Sequence, residues 1–364
     1  MRSKVRQVEM SSAKTMTVLP GIDPREGSLW IRTAAGADIG FGHLKRSLAL
    51  ADLLSDCTNL LFLLDPEDLE SRDLIDEAGR ELVVLDIEKA WDLLPEPSAV
   101  LIDTRIEKGL NILISGARER CIPVISIHDL GLNPIVSDIV IDGSIAPGRA
   151  SDSGSSLYSG TEYMVLDPVY RRYRIKHKRI KQNIKSIFIN LGGGNSLRFF
   201  SIIMEGLRLC EREFDVTGVH GFTAWGQDSF GNRDWSPLHF RWESQSPEIA
   251  LFSADLAITA GGISAYEALC VGTPLLALSY DRWQQMTITS LAREGACIDL
   301  GLGDELIPGT LPAQLALVDR NENLRRRLSD RGKEIVDGGG VERVAQIIRM
   351  AIFNRTLQCA GACR

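Results

Sequence analysis

Short apolar runs alternate with longer segments of helical periodicity along most of the chain. In the first half, runs of strand length stand at 28–35, 59–64, 81–85, 98–103, 123–127 and 138–142. Segments with helical spacing separate most of them, at 44–54, 68–79, 87–93 and 106–119. Strands and helices that alternate in this way predict βαβ units, and therefore a mostly parallel sheet with helices on both faces.

The same pattern begins again near residue 186. The predicted strands are 186–191, 216–219, 222–225, 238–242, 254–260 and 274–278, and the predicted helices are 197–212, a helix from 264, 284–294, 311–334 and 341–354. Two successive units of about 150 residues predict an α/β chain of two Rossmann-like domains. Because open α/β sheets bind ligands at the carboxyl ends of their strands, we expect a ligand in the cleft between two facing sheets.

Local composition suggests where the domains divide. The predicted divisions are a polar extension (1–27), an N-terminal domain (28–157), a basic linker (158–185), a C-terminal domain (186–340) and a terminal helix with its tail (341–364). Within the linker, residues 171–185 include eight Lys or Arg. This run is either a solvated linker surface or a part of the site that holds an anionic ligand.

Composition narrows the class of protein. The net charge is -7, which argues against a nucleic-acid-binding protein with a global basic field. No apolar run reaches the roughly 18 residues of a membrane-spanning helix, and the N-terminus lacks the apolar core of a signal peptide. The seven cysteines stand mostly in apolar contexts, where they look like core thiols of a reducing compartment. A cytoplasmic protein is therefore expected.

The first glycine-rich turn contains Gly40, Gly42 and His43. Its glycines permit tight turning, and the amides at the start of the next helix favour an anion. A dinucleotide-binding GxGxxG motif would need glycine where Lys45 stands, so a dehydrogenase is disfavoured. An imidazole at this edge of the sheet is either a general base that activates water or a hydroxyl, or a structural histidine.

A second glycine turn follows the predicted strand 254–260. Gly261 and Gly262 lead into a helix that begins with Ile263 and Ser264, so free amides face the expected cleft and can cradle a diphosphate. Glu267 can accept hydrogen bonds from the two hydroxyls of a ribose. The alternative is structural, because Ser264-x-x-Glu267 also has the spacing of a capping box.

Two further segments contribute polar candidates. A third glycine turn, 192–194, is followed by Asn195, and Trp283-Gln284-Gln285 follows the strand 274–278. The glutamines are either sugar-binding side chains or an ordinary polar helix start. Neither the first nor the second glycine turn carries a cluster of metal-ligand residues, so we expect no metal and no cofactor.

These motifs together resemble one family. Ile39-Gly40-x-Gly42-His43-x-x-Arg46 resembles the N-terminus of the bacterial UDP-2,4-diacetamido-2,4,6-trideoxy-β-L-altropyranose hydrolases of the pseudaminic acid pathway. The related spore-coat polysaccharide proteins share this motif. The resemblance covers residues 28–300, including Leu101-Ile102-Asp103 and the turn at 260–267. That turn is also similar to one in the UDP-N-acetylglucosamine transferase of peptidoglycan synthesis.

The resemblance implies a GT-B fold that holds UDP on the C-terminal domain. It implies that the Gly262–Ser264 turn binds the diphosphate, that Glu267 binds the ribose, and that His43 activates water without a metal. The full set of residues expected to bind nucleotide is Gly261, Gly262, Ile263, Ser264 and Glu267. Those expected to contact the sugar are Arg32, Gly42, Asp103, Asn195, Trp283, Gln284 and Gln285.

Several positions depart from the family pattern on the sugar side. Ala34, His128 and Asn195 stand where the family usually has aspartate, and Trp283 replaces an asparagine. An indole offers a flat apolar face to a sugar, or it packs into the core. The expected function is hydrolysis that releases UDP from an amino-deoxy sugar in surface polysaccharide or nonulosonic acid biosynthesis. The alternatives are a glycosyltransferase with a UDP-sugar donor and a non-catalytic nucleotide-sugar-binding protein.

Overall fold

The structure of the chain is a computed structural model. It describes residues 6–8, 16–18, 28–36, 39–130, 135–145, 155–192, 197–219, 234–243 and 245–362. These residues form two mainly parallel sheets with helices on both faces. The prediction of an α/β fold with two Rossmann-like units is confirmed.

The N-terminal sheet has the strand order β1-β2-β5-β4-β3-β6-β7-β8-β9. Its strands are β1 (Arg6–Val8), β2 (Met16–Val18), β3 (Ser28–Thr33), β4 (Asn59–Leu64), β5 (Leu82–Val84), β6 (Ala99–Asp103), β7 (Val124–His128), β8 (Ile139–Asp142) and β9 (Ser156–Ser159). The helices of this half are α1 (Gly42–Leu54), α2 (Leu69–Glu77), α3 (Ala90–Leu93) and α4 (Leu110–Glu119), and α5 (Pro168–Arg174) follows in the linker. Strands β3–β9 are parallel, whereas β1 and β2 pair antiparallel at one edge.

The C-terminal sheet is parallel throughout, in the order β12-β11-β10-β13-β14-β15. Its strands are β10 (Ser186–Asn190), β11 (Asp215–Val219), β12 (His239–Trp242), β13 (Leu256–Ala260), β14 (Leu275–Ser279) and β15 (Ile298–Leu302). The helices are α6 (Leu197–Arg208), α7 (Pro247–Ser253), α8 (Ile263–Val271), α9 (Arg282–Arg293), α10 (Leu311–Asp319), α11 (Glu322–Ile335) and α12 (Gly340–Ala362).

Each sheet reverses its strand order at one point. In the N-terminal sheet the reversal lies between β3 and β6, and in the C-terminal sheet between β10 and β13. Loops that leave two such strands diverge to opposite faces of the sheet and open a crevice at the carboxyl edge. Gly40, Gly192 and Gly261 follow strands β3, β10 and β13 at these two reversal points, so the topology explains why these glycines face a common cleft.

Alternation along the central strand divides the N-terminal core into two layers. Leu29 and Ile31 of β3 pack on one face of the sheet, whereas Trp30 packs on the other. Every residue of β3 is buried, as expected for a strand covered by helices on both sides. This burial explains why the strand has a nearly continuous apolar sequence.

The last helix, α12, returns to the N-terminal domain. Val344 and Ile348 are fully buried in the same core layer as Leu50 and Leu54 of α1. The chain thus passes between the domains twice, and both passages meet at Met164. A Cβ atom on Gly340 would lie 2.1 Å from the carbonyl oxygen of Met164, so only glycine fits this crossing.

Several elements depart from the predicted pattern. Strands β9 and β15 and helix α7 lie in segments for which the pattern predicted none, and α5 lies within the predicted linker. The predicted strand 222–225 falls outside the described residues. The expectation of core thiols is wrong for Cys57 and Cys121, which are exposed. The predicted domain boundaries stay predictions.

Packing of α12 gives a test of its role. Replacing Ile348 by alanine should destabilise the N-terminal domain by about 2–5 kcal/mol, the usual cost of such a truncation in a core. Met350→Ala is the control, because Met350 is 57% exposed on the same helix. Hydrogen exchange followed by mass spectrometry should show faster exchange in α1 for Ile348→Ala only. Equal effects of the two substitutions would contradict the packing.

Candidate functional site

A cleft of about 420 Å³ lies between the carboxyl edges of the two sheets. The N-terminal domain lines it with the turn before α1 and the loops after β6 and β7. The C-terminal domain lines it with the turns after β10, β13 and β14. The cleft is therefore where the strand topology places a ligand.

Helix α8 points its N-terminus into this cleft. Gly262 is the residue before the helix, and no side chain caps the first turn. Its first amides therefore lack partners within the helix and can bind an anion. The capping-box alternative for Ser264 and Glu267 is wrong, because Ser264 is already the second helical residue.

The N-terminus of α1 faces that of α8 across the cleft. A Cβ atom on Gly42 would lie only 4.0 Å from Cγ2 of Ile263, the first residue of α8. Two helix dipoles thus present their positive ends to one small space. This arrangement favours a ligand with more than one negative charge, such as a diphosphate.

Glu267 is the carboxylate nearest to these amides on α8. Its side chain lines the cleft although the residue is only 4% exposed. Burial raises its pKa above the usual range, while the charge of Lys45 and a hydrogen bond with Tyr170 act in the opposite direction. The carboxylate therefore gains a proton more readily than an exposed glutamate.

His43 lies on the opposite wall, at the start of α1. Its Nδ1 atom lies 2.6 Å from Oδ1 of Asp103, the last residue of β6. Among the contacts described for this ring, none engages Nε2. The ring therefore has a carboxylate on one side and the cleft on the other, which is the arrangement of a general base rather than of a histidine satisfied at both nitrogens.

Arg46, one turn further along α1, joins two carboxylates behind His43. Its Nε atom donates to Oδ2 of Asp103 at 3.1 Å, and its Nη1 atom donates to Oδ1 of Asp129 at 2.6 Å. Burial disfavours the ionised form of Asp129, but the charge of Arg46 outweighs it and holds the pKa of Asp129 well below its usual range. The two carboxylates in turn outweigh burial and raise the pKa of Arg46.

The rim formed by α9 carries the sugar-side candidates. Trp283 and Gln284 line the cleft, and Trp283 is 50% exposed. The alternative that Trp283 packs into the core is therefore wrong. Gln284 accepts a hydrogen bond from the amide of Tyr280 at 3.1 Å, which orients its side chain beside the cleft.

Three residues that were expected to contact the sugar bind other parts of the protein instead. Arg32 is fully buried against Asp65 and a backbone carbonyl of β4, so it joins strands rather than facing the cleft. Asp103 is also fully buried and acts on His43. The amide of Gln285 donates to Asp299 at 2.7 Å, which turns it away from the cleft. These corrections share a cause, because each polar group is held by a partner from a different element of the chain.

The remaining predicted residues divide between the cleft and the part of the chain that is not described. Gly42, His43 and all five predicted nucleotide contacts line the cleft. Asn195 lies outside the described residues. No residue of the basic run 171–185 lines the cleft, and Lys181 instead pairs with Asp255 at 2.8 Å. The structure therefore agrees with a linker surface for this run.

Several residues that line the cleft have no role in the predicted site. These residues are Arg46, Arg105, Asp129 and Tyr280. The signal available was position, because strands β6 and β7 are adjacent and are each followed or ended by an acidic residue at the same sheet edge. In the described residues, no group of three or more His, Cys, Asp or Glu side chains is arranged to hold a metal ion. None of the described helices is long and apolar enough to cross a membrane.

Comparison with known proteins supports this fold. The chain matches no family model. It is 29% identical over 267 residues to the spore coat polysaccharide biosynthesis protein SpsG of Bacillus subtilis, with 71% of this chain and 75% of SpsG covered. The predicted likeness to spore-coat polysaccharide proteins is confirmed by this match.

Solved structures with the same architecture are GT-B glycosyltransferases. MurG of Acinetobacter baumannii has a TM-score of 0.65 at 14% identity, with 89% of this chain and 99% of MurG covered. HepE of Anabaena, solved in complex with UDP-glucose, has a TM-score of 0.56 at 13% identity, with 88% and 99% covered. The fold of the chain is therefore GT-B, as expected.

The two adjacent glycines of the C-terminal turn should respond differently to alanine. A Cβ on Gly261 would lie 2.9 Å from Cδ1 of Ile288 and 3.0 Å from the carbonyl oxygen of Gln284, whereas a Cβ on Gly262 would meet nothing within 4 Å. Gly261→Ala should therefore cost about 1–3 kcal/mol by overpacking. Gly262→Ala should lower the melting temperature less, and the reverse order would contradict this geometry.

Proposed function

We propose that the protein is a nucleotide-sugar hydrolase that releases UDP from a UDP-linked amino-deoxy sugar. The observation that carries this proposal is the position of the His43–Asp103 pair, which faces the N-terminus of α8 across one cleft. A base on one wall and an anion-binding helix end on the other are the two groups that hydrolysis of a sugar diphosphate needs.

The likeness to other proteins supports the class of substrate. SpsG is named as a spore coat polysaccharide biosynthesis protein, and HepE binds UDP-glucose in a fold of the same kind. The family resemblance in the turns at 39–46 and 260–267 points to the same chemistry. We infer that the product feeds surface polysaccharide or nonulosonic acid synthesis.

The residues of the cleft divide the reaction between them. Nε2 of His43 accepts a proton from water as the water oxygen attacks the anomeric carbon. The bond between that carbon and the diphosphate oxygen breaks, and UDP departs as an anion. The amides that begin α8 and the dipoles of α1 and α8 stabilise the negative charge that develops on the leaving group. Glu267 holds the ribose.

Two alternative functions would use the same cleft. A glycosyltransferase would present an acceptor hydroxyl to His43 in place of water, and the half-exposed Trp283 beside Gln284 offers a face on which a second sugar can stack. A non-catalytic binding protein would have no need for a base oriented by a carboxylate. The engagement of His43 by Asp103 therefore favours an enzyme.

Incubation with a panel of UDP-sugars separates the three functions. UDP release from one sugar without any acceptor supports the hydrolase. Release only after an acceptor is added would identify a transferase. Binding of a UDP-sugar without release under either condition would identify a binding protein and overturn both catalytic functions.

Binding of UDP should depend on the ionisation of Glu267. The ionised carboxylate can accept hydrogen bonds from both ribose hydroxyls at once, whereas protonation turns one of its oxygens into a donor, and burial raises its pKa. Affinity should therefore fall as the pH is lowered through this raised pKa and level off above it. Glu267→Gln should weaken the binding of UDP by about 1–3 kcal/mol at high pH. Because UDP itself titrates, calorimetry should compare the two proteins at each pH, and equal pH dependence would remove Glu267 from the site.

Turnover should depend on His43. His43→Asn should lower the rate of UDP release by roughly 10²–10⁴-fold, the range for a positioned general base, and should leave UDP affinity nearly unchanged. His177→Asn is a matched control, because His177 is exposed on the linker and does not line the cleft. Wild-type turnover in the His43 variant would refute the mechanism.

A further inference from the structure

The guanidinium of Arg46 makes more contacts behind His43 than a simple ion pair requires. Besides the bonds from Nε and Nη1, its Nη2 atom donates to Oδ1 of Asp103 at 2.7 Å and to Oδ2 of Asp129 at 3.2 Å. The same Nη2 atom lies 2.9 Å from Nδ1 of His43. Nη2 of Arg46 therefore has three neighbouring atoms that can accept a hydrogen bond.

The number of hydrogens on Nη2 decides which of the three neighbours receive a hydrogen bond. Nη2 carries two hydrogens, and the two carboxylates accept both of them. Nδ1 of His43 then has no donor facing it, and it must carry its own hydrogen and donate it to Oδ1 of Asp103 at 2.6 Å. In a neutral imidazole the other nitrogen, Nε2, is then the acceptor. This is the tautomer that a general base in the cleft requires.

The proton count depends on Asp129. Without its Oδ2 atom, the in-plane hydrogen of Nη2 that faces Asp129 would lose its acceptor, and a small tilt of the guanidinium would then aim it at Nδ1, which lies closer to Nη2. That hydrogen bond would favour the opposite tautomer, in which Nε2 carries the hydrogen and cannot accept one. Little solvent can intervene, because Arg46 and His43 are 6% and 4% exposed.

We infer that Asp129 is a positioning residue that fixes the tautomer of His43, because its carboxylate draws an N–H group of Arg46 away from the imidazole. Asp129 acts through Arg46 and has no contact with the ring among the hydrogen bonds of the described residues. The effect on the tautomer rests on this geometry alone, whereas the effect on turnover also rests on the proposed function.

Asparagine at position 129 tests the inference, because it keeps the shape of aspartate but has one acceptor oxygen in place of two. Nitrogen-15 NMR of histidine-labelled protein, read at alkaline pH, identifies which ring nitrogen of His43 carries the hydrogen. The wild type should show it on Nδ1, and Asp129→Asn should move it substantially to Nε2. UDP release by this variant should fall tenfold or more, up to the roughly 10²–10⁴-fold limit for loss of a base.

Asp281→Asn is the matched control. Asp281 also lines the cleft, and asparagine can replace it as the cap of α9, so this change removes one cleft charge without touching Arg46. It should leave the hydrogen of His43 on Nδ1. A shift to Nε2 in this control would show a general charge effect and overturn the inference.

A double variant, Asp129→Asn with Arg46→Met, gives an independent result. It removes the competing donor while Asp103 remains, so the hydrogen of His43 should return to Nδ1. If Asp129→Asn alone does not fold, the wild type still tests the inference, because a hydrogen on Nε2 of His43 in the wild type overturns it. An unchanged tautomer in folded Asp129→Asn overturns it as well. A tautomer shift with no UDP release from any sugar by the wild type would instead refute the proposed function.

Discussion

The buried guanidinium of Arg46 is the interaction on which the N-terminal wall of the cleft depends. It joins helix α1 to the ends of two adjacent strands through Asp103 and Asp129. Two carboxylates this close repel each other, and the positive charge of Arg46 between them offsets this repulsion. Removing one partner from such a buried group typically costs about 3–5 kcal/mol, so the same contacts hold this wall together and fix the position of His43.

The wall of the cleft that the C-terminal domain forms relies on backbone amides rather than on charged side chains. Its main feature is the open N-terminus of α8, and Gly261 lets α9 pack tightly behind that turn. A site made of amides carries no charge that burial could neutralise. The two walls therefore differ in kind, since one presents backbone amides and the other a network of charged side chains.

Sequence analysis predicted the parts of the site that depend on local chain geometry. The turns at 40–43 and 261–264 were found because glycine, strand and helix signals lie within a few residues of each other, and the structure places both at the cleft. The roles of Arg32, Asp103 and Gln285 could not be assigned in this way, because each is decided by a partner from another strand or helix. Edge strand β15 was missed for a related reason, since its residues are only half-buried and carry a weak apolar pattern.

The ribosome makes the N-terminal domain first, whereas α12, the helix that completes the core of this domain, is made much later. Residues of α12, including Val344 and Ile348, fill the core beside α1, yet they are made after the whole C-terminal sheet. The nascent N-terminal domain therefore keeps an apolar face uncovered until α12 has been made. Exposed apolar surface of this kind favours aggregation, so the early synthesis of this domain does not by itself secure early folding.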